Sequence, residues 1–403
     1  MRLLVANYHA RPVGGVETYL RATLPHLAAR VTSIAVMTRE GGDAGPSGVP
    51  VPGVEWLPDA GDTPDALVRT ALQWRPDVVY SHGLGDPAFE AALAARIPTV
   101  AFMHNYGASC ASGSKCHGAP VASACARPLS AACLALWWPR QCGGRNPMTM
   151  VRMYGEARRR QAALRACRAV GVASRYMAAE MVQNGLAPDR VHYLPLFPTM
   201  HTPDAAPPTP KVFQGRMLFA GRLTALKGWR HLLDAWPAAS AALRRPLALT
   251  VAGDGPDRAA FEADCARRNV QSRFLGWVAP PQLAAVMRDH DLLVVPSVWP
   301  EPFGLVGVEA GCVGLPAVGF AVGGIPEWLT PGVSGESAPG RAPDPAALAD
   351  ALVRAASDPD HLQRLRVGAW ETARRFSAEA HVDRLIALLR GAGTPTQEGS
   401  SGR

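Results

Sequence analysis

The sequence predicts an α/β protein built from two doubly wound, Rossmann-like domains facing across a cleft. Three observations predict it. Strand-like apolar runs alternate with amphipathic helical stretches. The alternation stops at a proline-rich segment near the midpoint and then restarts. The 403 residues also exceed the roughly 250–300 at which a single core stops growing. Apolar residues make up 48% of the chain and charged residues 18%, which supports sizeable cores and excludes a disordered chain. Glycines and prolines are numerous but without period, which excludes a collagen-like one.

The first domain is expected over residues 1–198. Residues 3–6 form an apolar strand that runs into the glycine loop Gly14-Gly15, and 16–29 carry the period of an amphipathic helix. Residues 31–37 are largely apolar, as in a parallel strand covered on both faces. A helix at 65–73, a break at Pro76, a strand at 78–80, a helix at 87–96 and a strand at 99–103 continue the pattern. Over 105–146 it fails, and this stretch, rich in Cys, Ala, Gly and Ser, reads as an irregular excursion. A helix at 149–167, a strand at 169–173, a helix at 174–184 and a short strand at 191–194 complete the domain. Residues 195–210 then hold six prolines, which neither a helix nor a central strand accepts. A semi-rigid linker is expected at 199–211.

The second domain is expected over 212–370. Strands at 217–220, 247–252, 292–296 and 316–320 alternate with helices at 229–239, 257–268, 282–288 and 306–312. Residues 270–275 lead into a turn. A helix at 345–355 is followed by one at 359–389, interrupted near Phe376-Ser377. Its last part, 371–390, is expected to return to the N-terminal domain, and 391–403 to be a disordered tail.

The chemistry-bearing residues sit where strands end. After Pro296 a loop carries Glu301 and runs through Phe303 into a helix opening near Gly304 and Leu305, with Glu309 about a turn and a half in. Unpaired N–H groups at a helix start favour phosphate, and flanking carboxylates suit sugar hydroxyls. The same spacing also fits a loop and helix with incidental acids. Gly221-Arg222-Leu223-Thr224-Ala225-Leu226-Lys227-Gly228 follows the strand at 217–220. It places two cations at a strand's carboxyl end, where α/β sheets bind ligands and where Arg and Lys suit a diphosphate; a solvated basic turn is the alternative. Gly253-Asp254-Gly255-Pro256 and Gly323-Gly324-Ile325-Pro326-Glu327 are further glycine loops after strands. None has the spacing of a dinucleotide fingerprint or a P-loop, so dehydrogenase and NTPase readings lose support. His82 and His104 each follow a strand. Asp289-His290-Asp291 and Asp358-Pro359-Asp360 lie away from strand carboxyl ends and read as surface acids.

Taken together and in this order, the motifs resemble the retaining nucleotide-sugar glycosyltransferases of the GT-B fold, specifically glycosyltransferase family 4 (glycosyl transferases group 1). The resemblance covers about residues 1–390 and is most specific in the second half. It implies transfer of a sugar from a nucleotide diphosphate-sugar to an acceptor hydroxyl with retention, without metal and with no cofactor beyond the donor. Arg222 and Lys227 would hold the diphosphate, Glu309 the ribose hydroxyls and Glu301 the donor sugar. The N–H groups of Phe303, Gly304 and Leu305 would lie near sugar and phosphate. Gly14, Gly15, Gly253 and Gly255 would contribute to the donor site, and His104 would stand near the transferred sugar. Two other readings share the fold. A nucleotide-sugar epimerase would need acid/base carboxylates that the Glu301/Glu309 context does not suggest. A non-catalytic sugar-nucleotide-binding relative would not need Arg222, Lys227, Glu301 and Glu309 all intact.

The net charge of +8 is a local feature. Residues 1–200 hold 20 Lys and Arg against 13 Asp and Glu. Arg140, Arg145, Arg152, Arg158, Arg159, Arg160, Arg165, Arg168 and Arg175 fall in one stretch with a single acid, Glu156. Trp137 and Trp138 stand just before it. A buried hairpin or helix followed by a solvated basic helix is one reading. An anionic membrane surface that meets a lipid-linked or polyanionic acceptor is the other. No nucleic-acid partner is expected, because no binding module accompanies the arginines. Cys110, Cys116, Cys125, Cys133 and Cys142 lack a Cys-x2-Cys pair. Reduced thiols are expected, with a structural zinc site across Cys110–Cys142 or disulfides as lesser alternatives. Residues 1–7 lack the roughly 7–15-residue apolar core of a signal peptide, and no run reaches the roughly 18 apolar residues of a membrane span. The expected location is therefore cytoplasmic, with peripheral attachment to the inner membrane face on the membrane reading.

Overall fold

A computed structural model describes residues 1–10, 14–40, 51–57, 62–120, 122–144 and 146–393. Pro12, Val13, Arg145 of the basic run and the tail from 394 lie outside the described residues. In chain order the N-terminal half comprises β1 (Arg2–His9), α1 (Gly15–Ala28), β2 (Ser33–Glu40), β3 (Val54–Trp56), α2 (Pro64–Trp74), β4 (Val78–Ser81), α3 (Pro87–Ala94) and β5 (Thr99–Met103). The excursion holds β6 (Cys116–His117), β7 (Ser123–Ala124) and α4 (Ala132–Leu136). Then come α5 (Pro147–Ala166), β8 (Ala169–Val172), α6 (Arg175–Gln183) and β9 (Val191–Tyr193). The C-terminal half comprises β10 (Arg216–Ala220), α7 (Trp229–Leu243), β11 (Ala248–Ala252), α8 (Arg258–Arg267), β12 (Gln271–Gly276), α9 (Pro280–Arg288), β13 (Leu292–Val295) and α10 (Leu305–Cys312). It closes with β14 (Ala317–Ala321), β15 (Gly335–Pro339), α11 (Pro345–Ala356), α12 (Pro359–Arg374) and α13 (Ala378–Gly393).

Each half folds around an all-parallel sheet. The first runs β3-β2-β1-β4-β5-β8-β9 and the second β12-β11-β10-β13-β14-β15. Both are the doubly wound order, in which the chain reverses direction between two central strands, β1 and β4 in one and β10 and β13 in the other. Ligands bind outside the carboxyl ends of the strands at such a point. The central strands are buried on both faces, which is why Leu3–Ala6, Val78–Tyr80 and Leu292–Val295 read as unbroken apolar runs.

The excursion is more ordered than its composition suggests. β6 and β7 pair antiparallel, and Trp137 packs with Ala111, Leu129 and Ala157 into a small core of its own. Lys115, itself buried, forms an ion pair with Glu180 of α6 at 2.6 Å and so ties the excursion to the domain. All eight cysteines are free thiols.

The proline-rich stretch is strapped to the C-terminal domain. Asp204 donates its N–H to the Cys312 carbonyl at 2.8 Å and takes the Arg288 guanidinium at 2.7 Å. The Trp370 indole donates to the Asp204 carbonyl at 2.8 Å. The chain bends between α12 and α13, and α13 lies against α1, β4 and β5 of the N-terminal half. Val382, Leu385, Ile386 and Leu389 are its buried face. Asp291, expected at the surface, is instead buried and accepts from the N–H groups of Gln214 and Arg216, fixing the entry to β10.

Candidate functional site

The carboxyl ends of the two switch points face one cleft, a cavity of about 460 Å³. Gly15, Tyr19, His104 and Asn105 line it from the N-terminal half, and Gly221, Lys227, Glu301, Phe303, Gly304, Leu305 and Glu309 from the C-terminal half. The strap adds Leu196, Thr199 and Met200, a contribution that a stretch read as a linker gives no cause to expect.

The loop after β13 is built to hold a carboxylate beside a helix start. Glu301 is buried, and its Oε1 accepts from Ser297 Oγ at 2.6 Å and Lys227 Nζ at 2.7 Å. Lys227 ends a 3-10 turn, Ala225–Lys227, between β10 and α7, so the ion pair joins the loops following the two central strands. Gly304 takes φ +80° and precedes α10 without a side-chain cap, which leaves the N–H groups of Leu305 and Val306 beside the cleft as a site for negative charge. Gly307 lets Trp328 lie flat against that turn, since a Cβ there would sit 2.1 Å from the indole. Gly323 and Gly324 serve the same loop. A Cβ on Gly323 would meet the Glu301 backbone at 2.5 Å, and the Gly324 N–H donates to the Glu301 carbonyl at 2.7 Å.

Glu309 lies in α10 and is buried, with Thr199 Oγ1 donating to its carboxylate at 3.4 Å. Burial with so little compensation raises its carboxyl to about 7. On the opposite wall, His104 Nε2 and His82 Nδ1 are 2.8 Å apart. Burial lowers the pKa of His82 well below its ordinary value and that of His104 to about 3, so both rings are neutral.

Several sequence-predicted residues stand elsewhere. Gly253 and Gly255 do not line the cleft; they pack behind its wall, where a Cβ would meet the Gly221 carbonyl at 1.9 Å and the Leu223 carbonyl at 2.4 Å. They hold the Gly221–Leu223 loop in place, a backbone approach that a ligand-binding glycine resembles in sequence. Gly14 stands at the N-cap of α1, its N–H donating to Glu17 Oε2 at 2.9 Å, while its neighbour Gly15 lines the cavity. Arg222 follows Gly221 and is exposed, with no ion pair among the described residues. Glu327 is a strut between the halves, accepting from Arg175 Nη1 at 2.5 Å and Tyr193 Oη at 2.8 Å.

The basic run divides in the same way. Arg160 bonds to the Gly85 carbonyl and to Glu156, Arg165 to the Asn184 carbonyl and Arg175 to Glu327. Trp137 is buried with its indole N–H on the Gly144 carbonyl at 2.6 Å, so it is a core residue and not an interfacial one. Arg140, Arg152, Arg158 and Arg159 are exposed, as are Trp138, Met148 and Val151. No helix among the described residues is long and apolar enough to cross a membrane. No group of three or more His, Cys, Asp or Glu side chains among them is arranged to hold a metal ion, Cys110–Cys142 included.

Comparison with known proteins adds to this geometry. Residues 13–197 match the family model described as Glycosyltransferase Family 4, and residues 208–372 that described as Glycosyl transferases group 1. A stretch of 200 residues is 38% identical to D-inositol 3-phosphate glycosyltransferase 1 of Catenulispora acidiphila, covering 46% of each chain. Another of 185 residues is 35% identical to 2-deoxystreptamine glucosyltransferase of Streptomyces kanamyceticus, covering 43% of this chain and 46% of that one. The matched part thus spans about half the length of these relatives. Over nearly the whole chain, the fold superposes on that of Anabaena HepE in complex with UDP and glucose. The TM-score is 0.66 at 20% identity, covering 97% of this chain and 100% of that one.

Proposed function

The chain belongs to the GT-B glycosyltransferases of family 4 (glycosyl transferases group 1), and from that premise we propose that it moves a sugar from a nucleotide diphosphate-sugar to an acceptor hydroxyl with retention at the anomeric carbon. The observation that carries the reading is the Lys227–Glu301 pair beside the uncapped start of α10, with Glu309 in the same helix. A diphosphate set against that helix start meets a macrodipole of the right sign. Lys227 and Arg222 would neutralise the charge that grows on it as the glycosidic bond breaks. Glu301 would turn from Lys227 towards sugar hydroxyls, and Glu309 would accept from the ribose. The reading includes a front-face displacement, in which the departing phosphate takes the acceptor's proton, and assigns charge neutralisation to these cations rather than to a metal. Turnover of one member of a panel of UDP-, GDP- and ADP-sugars, undiminished by EDTA, is the expected result. Failure to bind or cleave any of them would remove the reading.

The acceptor would enter from the N-terminal half. There a second cavity of about 500 Å³, walled in part by Asn7, His9, Glu17 and Arg160, shares Val16 and Asn105 with the cleft. Its size falls in the usual range of small-molecule sites.

Glu309 gives a pH signature. Ribose hydroxyls donate to its carboxylate, so donor binding favours the ionised form and weakens as pH falls through about 7. Affinity for the donor nucleotide is expected to be about tenfold lower at pH 6 than at pH 8. Calorimetry on wild type and Glu309→Gln checks this: the variant binds more weakly at pH 8, and the part of the pH dependence owed to this carboxyl disappears. A profile unchanged by the substitution would take Glu309 out of the donor site.

A membrane role for the exposed face of α5 belongs to the same reading, now without Trp137. Met148, Val151, Arg152 and Arg159 recur at helical spacing on one side, with Trp138 exposed as well. Salt-sensitive co-sedimentation with anionic liposomes is expected, weakened by the double change Arg158→Glu, Arg159→Glu. Equal sedimentation of both proteins would assign the face to solvent.

A further inference from the structure

The two histidines on the N-terminal wall share one proton, and the surroundings decide who holds it. His82 is buried at the end of β4, its backbone N–H on the Ala6 carbonyl at 2.9 Å and its ring against Tyr19, Tyr80 and Phe102. Its Nδ1 lies 2.8 Å from His104 Nε2, whereas its Nε2 is buried with no partner among the described residues. His104 lines the cleft, and no group among the described residues bonds to its Nδ1. His381, which also packs against Tyr19, is occupied by Tyr19 Oη at 2.7 Å and the Pro195 carbonyl at 2.8 Å.

A neutral imidazole carries one N–H, so only two arrangements are open. In the first, His104 Nε2–H donates to His82 Nδ1; the proton of His82 is then on Nε2, a buried N–H with nothing to accept it. In the second, His82 Nδ1–H donates to His104 Nε2; Nε2 of His82 keeps only a lone pair, and the proton of His104 stands on Nδ1. Orphaned buried N–H groups are rarer in folded proteins than unused acceptors. Burial keeps both rings neutral, which excludes a doubly protonated ring as a third arrangement.

We propose that His82 is a positioning residue that fixes the tautomer of His104, so that His104 meets the donor sugar as an Nδ1–H hydrogen-bond donor. The group it would recognise is an oxygen able to accept, a sugar hydroxyl and not an ammonium. That part rests on the reading of the cleft as a nucleotide-sugar site; the tautomer itself does not.

Two measurements test it separately. Long-range ¹H–¹⁵N spectra of the histidine-labelled protein are expected to show His104 protonated at Nδ1 and His82 at Nδ1. His104 protonated at Nε2 would overturn the proposal whether or not the protein transfers sugar. Kinetics then read the consequence. In His82→Asn the amide N–H can still donate to His104 Nε2, and in His82→Leu nothing can. The leucine variant is expected to lose about tenfold in kcat, with asparagine restoring it to within about threefold of wild type, at Tm values recorded for both. Equal losses in the two variants would make His82 a packing residue only and overturn the proposal. If wild type turns over no sugar nucleotide, the glycosyltransferase reading falls while the spectra still decide the tautomer.

Discussion

Replacing Lys227 by alanine is expected to lower kcat about a hundredfold, with a smaller change in donor KM. Removing one preorganised donor from a developing oxyanion costs on the order of 10²–10³ in rate in comparable sites. Lys227 combines a charge with a fixed position: it ends a 3-10 turn, lines the cleft and is held by Glu301 at 2.7 Å. Arg222 is exposed and without an ion pair among the described residues, so Arg222→Ala is expected to cost nearer tenfold. Two further variants show whether the loss belongs to the reaction or to the ion pair. Lys227→Arg keeps a cation and is expected to recover part of kcat. Lys227→Ala combined with Glu301→Gln is expected to cost less than the two single losses multiplied, because contacting residues couple. Steady-state kinetics on the donor identified by the panel reads these four variants and Glu301→Gln alone. Wild-type turnover in both Lys227→Ala and Arg222→Ala would end the assignment of leaving-group stabilisation to these cations.

What the sequence shows and what it hides follow from the range of each interaction. The central strands are legible because a parallel strand covered on both faces is apolar throughout, and the placing of Lys227 and Glu301 in the cleft because each sits in a loop that follows a strand, with Glu309 in the helix that the second loop opens. β15, Gly335–Pro339, is not legible: Gly-Glu-Ser-Ala-Pro has no β-branched residue, and the strand exists because it pairs with β14. β3 is three residues long, too short for a period. The glycines mislead for a physical reason. The lack of a Cβ permits close approach of a ligand or of another backbone, and Gly253 and Gly255 turn out to use it for the backbone of residues 221–223. Trp137 and Trp138 are adjacent in sequence and opposite in environment, which only the packing of the excursion decides. The partner of His104 is 22 residues away, and that of Glu327 is in the other half of the chain. Pairings of that kind leave no local mark.

The same distinction makes the second large effect predictable. Gly323→Ala is expected to lower both stability and kcat, whereas Gly332→Ala lowers stability alone. The two glycines share a backbone conformation, φ +60° and +74°, so alanine meets a similar left-handed strain at each, about 1 kcal/mol or somewhat more. They differ in what the methyl would touch. At Gly332 no atom of the described residues lies within 4 Å. At Gly323 the methyl would stand 2.5 Å from the backbone N and O of Glu301 and from the Pro300 carbonyl carbon, and backbone cannot swing aside as a side-chain tip can. Overpacking of this kind adds about 1–3 kcal/mol. Gly323→Ala should therefore lose about 2–4 kcal/mol in denaturant unfolding, against about 1 for Gly332→Ala. Relief of the clash must move the loop that carries Glu301, and with it the carboxylate proposed to bind the sugar hydroxyls. Misplacement of a catalytic group by an ångström costs on the order of 10² in rate, so a shift of a fraction of that is expected to lower kcat at least tenfold. Folded protein at low temperature gives the comparison free of unfolding. Equal kcat in the two variants, with Gly323→Ala the less stable, would show that the loop absorbs the methyl elsewhere and that the position of Glu301 does not limit the reaction.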